Sequence, residues 1–430
     1  MEVYVSRVTH VLKYKGSYAG LHRWVELIQN PISIGLVVCL IIRVLGESPF
    51  ASVTMPGSKF RDYMGYIDAA FNYFAIYLTA PLLLISIILE YKDRRVDFEF
   101  DIKVVLTLII FVIYALIHVF ISESIVRDNR SEMMFSSITV GLIAYQLRKR
   151  NDINTFWNTM IIVGVVFVLM SLISGQLFSI MAGNGLVTNE NNISKRIRLG
   201  KDTITSASLL YQCALACAAY VMINYRITFK LICIIATIIC LVIMGILTGS
   251  KGPLLSFIVA IFVQLISNRF SFFKILFIFI LIISLYYTIP YLLIYKGAFD
   301  HLMIGGQDEF RQEMYNYIIH SSPSIVGNGV GSFANHFGMT AIEGGYPHNS
   351  FLEVYYEMGI FGLILLVLLL YRYGVNLLIN SKSNYTQKYI LSYFSYAVVL
   401  SLFSGSIFSD SVMWMVFAFT DNIFTNNNQL

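Results

Sequence analysis

The sequence predicts an all-α, polytopic transmembrane bundle of about twelve spans, and three observations lead there. Hydrophobic residues make up 57% of the 430 positions and charged residues only 13%, with a mean hydropathy of +0.70. A soluble chain carries roughly a quarter of its residues as charges, so this one has too few to cover a water-facing surface of its size. Apolar runs close to the roughly 20 residues needed to cross a bilayer recur along the chain. Lysine and arginine, finally, gather in alternate connections between those runs, as the positive-inside rule requires.

The apolar runs cover 27–46, 68–90, 103–122, 132–147, 155–175, 203–223, 228–248, 252–268, 272–295, 352–371, 388–408 and 411–424. The run at 132–147 and the last are short, and the segment after Pro347 can open with an interfacial turn before it spans. An N-terminus inside places Lys13, Lys15 and Arg23, then Lys92, Arg94 and Arg95, then Arg148, Lys149 and Arg150 on the cytoplasmic side, followed by Arg226, Arg269, Lys274, Arg372 and Lys382. An even number of spans returns the C-terminus to the same side. The expected organisation is a single transmembrane domain over 1–430, with both termini cytoplasmic and two long outward connections, 176–201 and 296–347. The first 30 residues lack a small-residue cleavage pattern and do not read as a cleavable signal peptide.

Cys39, Cys213, Cys217, Cys233 and Cys240 all lie within apolar runs; they read as packing residues, not as a disulfide framework or metal site. The net charge of +5 sits in short loops and reads as topology, so no nucleic-acid partner is expected. Of the ionisable residues near the spans, Arg43 and His118 stand out, since a charge at the bilayer centre is costly and must snorkel or face a cavity.

The second outward loop holds the most informative text. Glu309 to His320 places Phe310, Met314 and Tyr317 on one side and Arg311 and Tyr315 on another, the pattern of a short amphipathic helix at the membrane surface, ended by Pro323. Gly327, Gly329 and Gly331 alternate, which suits a tight turn whose backbone approaches something closely. It is no dinucleotide fingerprint, because no strand precedes it. Tyr346-Pro347-His348-Asn349-Ser350-Phe351-Leu352-Glu353 follows, then Glu357-Met358-Gly359-Ile360-Phe361-Gly362. His348 falls where loop meets span and, on its own, reads first as an interfacial anchor. His301, His320, His336 and His348 are too widely spaced for a metal site, and no His-x-x-x-His pair supports one.

Taken together, Gly-x-Gly-x-Gly-x-Phe, His-Asn-x-x-Leu-Glu and Glu-x-Gly-Ile-x-Gly-Leu resemble the region before the late spans of the O-antigen polymerase and ligase family. Thr248-Gly249-Ser250-Lys251-Gly252 is similar to the family's Ser-Arg-Gly segment, with lysine in place of arginine, and Arg311 matches the arginine ahead of the glycines. The resemblance extends over residues 190–375 and is only general before that.

It implies a glycosyltransferase of the bacterial inner membrane that needs no metal or other cofactor. Its donor and acceptor are oligosaccharides on undecaprenyl diphosphate, and a chain-length regulator protein is an expected partner. Within that frame His348 is the candidate general base, since an imidazole with an ordinary pKa of roughly 6.5 can accept a hydroxyl proton near neutrality. Arg311 and Arg198 are the guanidinium groups that would neutralise the departing diphosphate. Arg196 is the alternative to Arg198, and Lys195, Arg196, Arg198 and Lys201 also read as a plain basic patch at lipid headgroups. Lys251, Glu343, Tyr346, Asn349 and Glu353 complete the expected substrate-binding set; Glu353 can instead orient His348, or cap and solvate a helix start. A polymerase of lipid-linked repeat units is the leading expectation. A ligase moving finished polymer to lipid A-core is the alternative, and a lipid-linked glycan flippase or transporter is a third.

Overall fold

The structure, a computed structural model, describes residues 33–41, 77–86, 102–122, 124, 127–149, 153–173, 203–223, 228–248, 250–267, 308–321, 324–338, 346–381, 385–403, 405–408 and 410–419. Among them every regular element is helical. The order is α1 (33–41), α2 (77–86), α3 (Ile102–Ile121), α4 (Arg127–Lys149), α5 (Ile153–Ile173), α6 (Thr203–Ile223) and α7 (Phe229–Leu247). Then come α8 (Lys251–Ser267), α9 (Asp308–His320), α10 (Ser332–Phe337), α11 (Ser350–Glu357), α12 (Gly359–Asn380), α13 (Tyr385–Phe403) and α14 (Ser411–Phe419). Each expected apolar run with described residues overlaps helix. The run at 272–295 lies outside the described residues.

By length and composition, two of the helices are sufficient to cross a membrane alone, at Phe229–Ile246 and Gly359–Asn380. A third crossing results if Arg130–Arg148 and Ile153–Leu169, bent by 116°, count as one.

Helix α6 sits centrally, against α5, α7, α8 and α13. Its Ala207, Ala214, Ala216, Ala218, Cys213 and Cys217 are buried, and such small side chains let helix backbones approach closely. Gly164 of α5 uses that room: a Cβ there would lie 3.1 Å from Cys213 Cβ. Cys233, by contrast, is exposed. Helix α13 joins α6 through hydroxyls, Tyr396 Oη donating to Ser208 Oγ at 3.0 Å. Helices α4 and α14 pair, as do α3 and α12.

The outside of this bundle is apolar like its core, and several polar side chains lie within that core. Ile109, Ile113, Ile117 and Phe120 of α3, Phe262 and Ile266 of α8, and Phe361, Ile364 and Val367 of α12 are exposed, while Gln212, Gln264, Asn376, Gln387 and Arg130 are buried. In water such a surface would associate. In lipid it is the expected arrangement, with polar groups bonding across helix interfaces.

Two expectations change here. The apolar run 352–371 is two helices, because α11 stops at Glu357 and α12 begins at Gly359 with φ +71°. Helix α4 starts at Arg127, earlier than its apolar text, because Arg130 is paired and buried.

The break between α11 and α12 is built by the glycine loop. A Cβ on Gly327 would lie 2.4 Å from Glu357 O, and one on Gly359 would lie 2.4 Å from Ile325 O. Gly338 has a similar φ of +76° but nothing within 4 Å. Gly338→Ala should therefore lose only the roughly 1–2 kcal/mol of left-handed strain. Gly359→Ala should lose clearly more, a difference measurable by thermal unfolding in detergent.

Candidate functional site

Four separate stretches of chain converge at one end of the bundle: the end of α3 with the start of α4, the glycine loop with α9–α11, the turn after α13, and the start of α8. Helix ends leave backbone groups without intrahelical partners, and the glycine loop takes up several of them. The Asn328 and Gly329 N–H groups donate to Tyr356 O (3.2 Å) and Glu357 O (2.9 Å) at the end of α11, and Phe361 N of α12 donates to Ile325 O at 3.3 Å. From α3, the Tyr114 hydroxyl reaches Val326 O (2.8 Å) and Met358 O (3.0 Å). Ser122 and Ser124 donate to Val330 O and Gly331 O, both at 2.6 Å. His118 is buried, its carbonyl accepting from Val330 N at 3.3 Å and its ring edge-on to Tyr114.

Beside this loop lies a buried charge cluster. Arg130 Nη1 is 3.1 Å from Glu353 Oε1, with side-chain exposures of 1% and 0%. Glu353 also accepts from Ser406 Oγ (2.6 Å) and Ile407 N (3.0 Å) in the turn after α13. Burial pushes the Glu353 carboxyl up, and Arg130, Ser406 and the Ile407 amide each oppose that rise.

Glu357, one helical turn on, is equally buried. Its carboxyl group faces the Gly331 and Phe333 amides, yet neither oxygen closes a well-formed hydrogen bond. Burial and the neighbouring Glu353 push it up to about 8, against the pull of Arg130 and the two amides. At neutral pH Glu357 is therefore the protonated member of the cluster.

The loop before α11 rests on this cluster. Arg130 Cζ stands 4.7 Å from the Tyr346 ring centroid, and the Tyr346 and His348 rings are 4.7 Å apart at 60°. His348 is half-buried and, among the described residues, the one non-glycine at positive φ, +54°. Such backbone strain persists only where the surroundings enforce it, and it gathers at functional sites. Asn349 caps α11, its Oδ1 accepting from Phe351 N (3.0 Å) and Leu352 N (3.1 Å).

Helix α9 then brings in Arg311. Met314 and Ile318 are buried against Phe333, Ala334 and Tyr356. On the neighbouring face Tyr315 hydrogen-bonds the Asn349 side chain and feels the charge of Arg311. Arg311, itself half-buried, is thus linked through Tyr315 to the residue that follows His348.

The structure accordingly brings together His348, Arg311, Tyr346, Asn349 and Glu353. Lys251 is half-buried as the first residue of α8, next to Gly252, whose Cβ would lie 3.0 Å from Phe403 Cβ at the end of α13. Arg196, Arg198 and Glu343 lie outside the described residues.

Two expectations are corrected and one is extended. Glu353 neither caps nor solvates a helix start, because its oxygens are engaged by Arg130, Ser406 and Ile407. Asn349 spends its carbonyl oxygen on the helix cap and its side chain also bonds Tyr315, a structural role that the sequence reading did not include. The apolar face of α9 packs on α10 and α11, not solely on a membrane surface. Sequence reasoning missed Arg130. The only signal was the charged text Arg127-Asp128-Asn129-Arg130 in a short connection between two apolar runs.

No protein-family model matches the chain, and no curated protein matches it.

The folded Glu357 carboxyl keeps its proton up to about pH 8, whereas an unfolded glutamate releases it near 4.3. The contribution of Glu357 to stability should thus be fully present below about pH 4.3, fall as pH rises from there to about 8, and be lost above. Thermal unfolding against pH should show this decline in the wild type and a flatter profile in Glu357→Gln.

Proposed function

We propose that the chain is a membrane glycosyltransferase, a polysaccharide polymerase that joins undecaprenyl-diphosphate-linked oligosaccharide units at the outer face of a bacterial inner membrane. The observation that carries this reading is the arrangement around His348. An imidazole on a strained, half-buried loop is linked on one side to the helix bearing Arg311 and on the other to a buried Arg130–Glu353 pair. These residues also supply the motif text that resembles the O-antigen polymerase and ligase family.

Two independent lines support the proposed topology. The lysine and arginine distribution assigns the connections 123–131, 249–251, 296–347 and 409–410 to the outside in a bundle of about twelve spans. Segments adjoining or containing those same connections meet at one end of the bundle: Ser122 and Ser124 on Val330 and Gly331, Glu353 on Ser406, Gly252 on Phe403.

In the proposed reaction the acceptor sugar hydroxyl gives its proton to His348 as its oxygen bonds to the anomeric carbon of the donor. The bond from that carbon to the diphosphate breaks, with inversion, and the lipid diphosphate leaves with the electron pair. Arg311 neutralises its negative charge, in a site where water exclusion strengthens such an interaction, and Arg198 is assigned the same task. Tyr346, Lys251 and Glu343 are placed on the sugar-binding side of the proposal.

The test is the banding pattern of cell-surface polysaccharide. His348→Ala and Arg311→Ala should each abolish the ladder, a loss of at least about 100-fold for the base. Protein level and display of a single repeat unit should stay unchanged. Loss of the single unit as well would favour the ligase, and lipid-linked units accumulating on the cytoplasmic face would favour transport.

A further inference from the structure

We infer that Arg130 is a positioning residue for His348, acting through the ring of Tyr346. The inference builds on the proposed role of His348 but concerns how that side chain is held.

The contacts form one chain. The Arg130 guanidinium lies 4.7 Å from the Tyr346 centroid, and that ring lies 4.7 Å from the His348 ring. The same guanidinium is fixed by Glu353, which Ser406 and the Ile407 amide fix in turn. The backbone on either side of His348 is equally constrained. Pro347 is buried and has its φ set by its ring, and Asn349 is committed to the α11 cap. The imidazole itself packs on the ring of Tyr346, which carries the guanidinium contact.

Packing alone does not account for an arginine here. A buried ion pair is commonly no more stabilising than apolar side chains of the same volume, because both ions lose their hydration. A leucine–methionine contact would join α4 to α11 as well. A guanidinium adds a flat, delocalised cation that attracts a ring face in a fixed plane, which neither a methionine nor a lysine reproduces. Arg130 stands over the Tyr346 ring, and that same ring packs on His348, so the geometry gives the plane a use.

The experiment reads His348 directly, without assuming any reaction. The purified full-length protein in detergent is treated with diethylpyrocarbonate, and carbethoxylation of His348 is measured by peptide mass spectrometry relative to the exposed His320. Arg130→Lys and Tyr346→Leu should raise that ratio by at least about fivefold, the lower end of the scale for losing a cation–π contact. Tyr346→Phe keeps the ring and should stay within about twofold of wild type.

Arg130→Met combined with Glu353→Leu leaves neither of that pair buried without its partner and should also raise the ratio. This double variant decides the matter should Arg130→Lys fail to fold. An unchanged ratio in the folded Arg130 variants overturns the inference, as does an equal rise in Tyr346→Phe. A raised ratio with an unaltered polysaccharide ladder would instead uphold the positioning role and remove His348 from the proposed chemistry.

Discussion

The buried ion pair between Arg130 and Glu353 is the constraint on which the capped end of the bundle depends. It joins the first turns of α4 to α11, and through Ser406 and Ile407 it adds the turn that follows α13. Two charges removed from water require nearly complete compensation, and each group present supplies part of it. Glu353 receives a guanidinium, a hydroxyl and an amide. Glu357, too close to carry a second negative charge comfortably, keeps its proton. The aromatic face of Tyr346 covers the guanidinium. Removing any one of these groups leaves another short of a partner, which is why the cluster acts as a unit.

Around this cluster the bundle is apolar on its outside as well as in its core. Amide side chains such as Gln212, Gln264 and Asn376 lie among the buried residues, while further leucines, isoleucines and phenylalanines face outward. The force that drives soluble cores together cannot hold such helices against one another in hydrocarbon. Close backbone approach and cross-helix hydrogen bonds take its place. The alanines of α6 serve the first need, and the Tyr396–Ser208 bond serves the second.

Much of the fold was legible because apolar length is a local property. The runs at 103–122, 203–223 and 228–248 coincide with α3, α6 and α7 nearly residue for residue. Gly327, Gly329 and Gly331 announced a close backbone approach, though not what they approach. The break at Gly359 was hidden because the apolar text continues across it, and only the partner backbone at Ile325–Gly327 requires it. Arg130 was hidden for a related reason. A charge beside a span reads as solvated until its partner is known, and Glu353 comes much later in the chain. His348 and Arg311 were legible from motif text, but the link between them through Tyr315 and Asn349 depends on how α9 docks.

The meeting of Gly327 with Gly359 has an evolutionary corollary. Each glycine is pressed against the other strand's peptide groups, not against a side chain, so no exchange at the opposite position can make room for an added methyl group. Distant contacts in proteins commonly betray themselves through paired, compensating replacements. A junction made of two bare backbones offers no such compensation, and the contact that folds the glycine loop onto the head of α12 would leave two fixed positions with no correlated change between them.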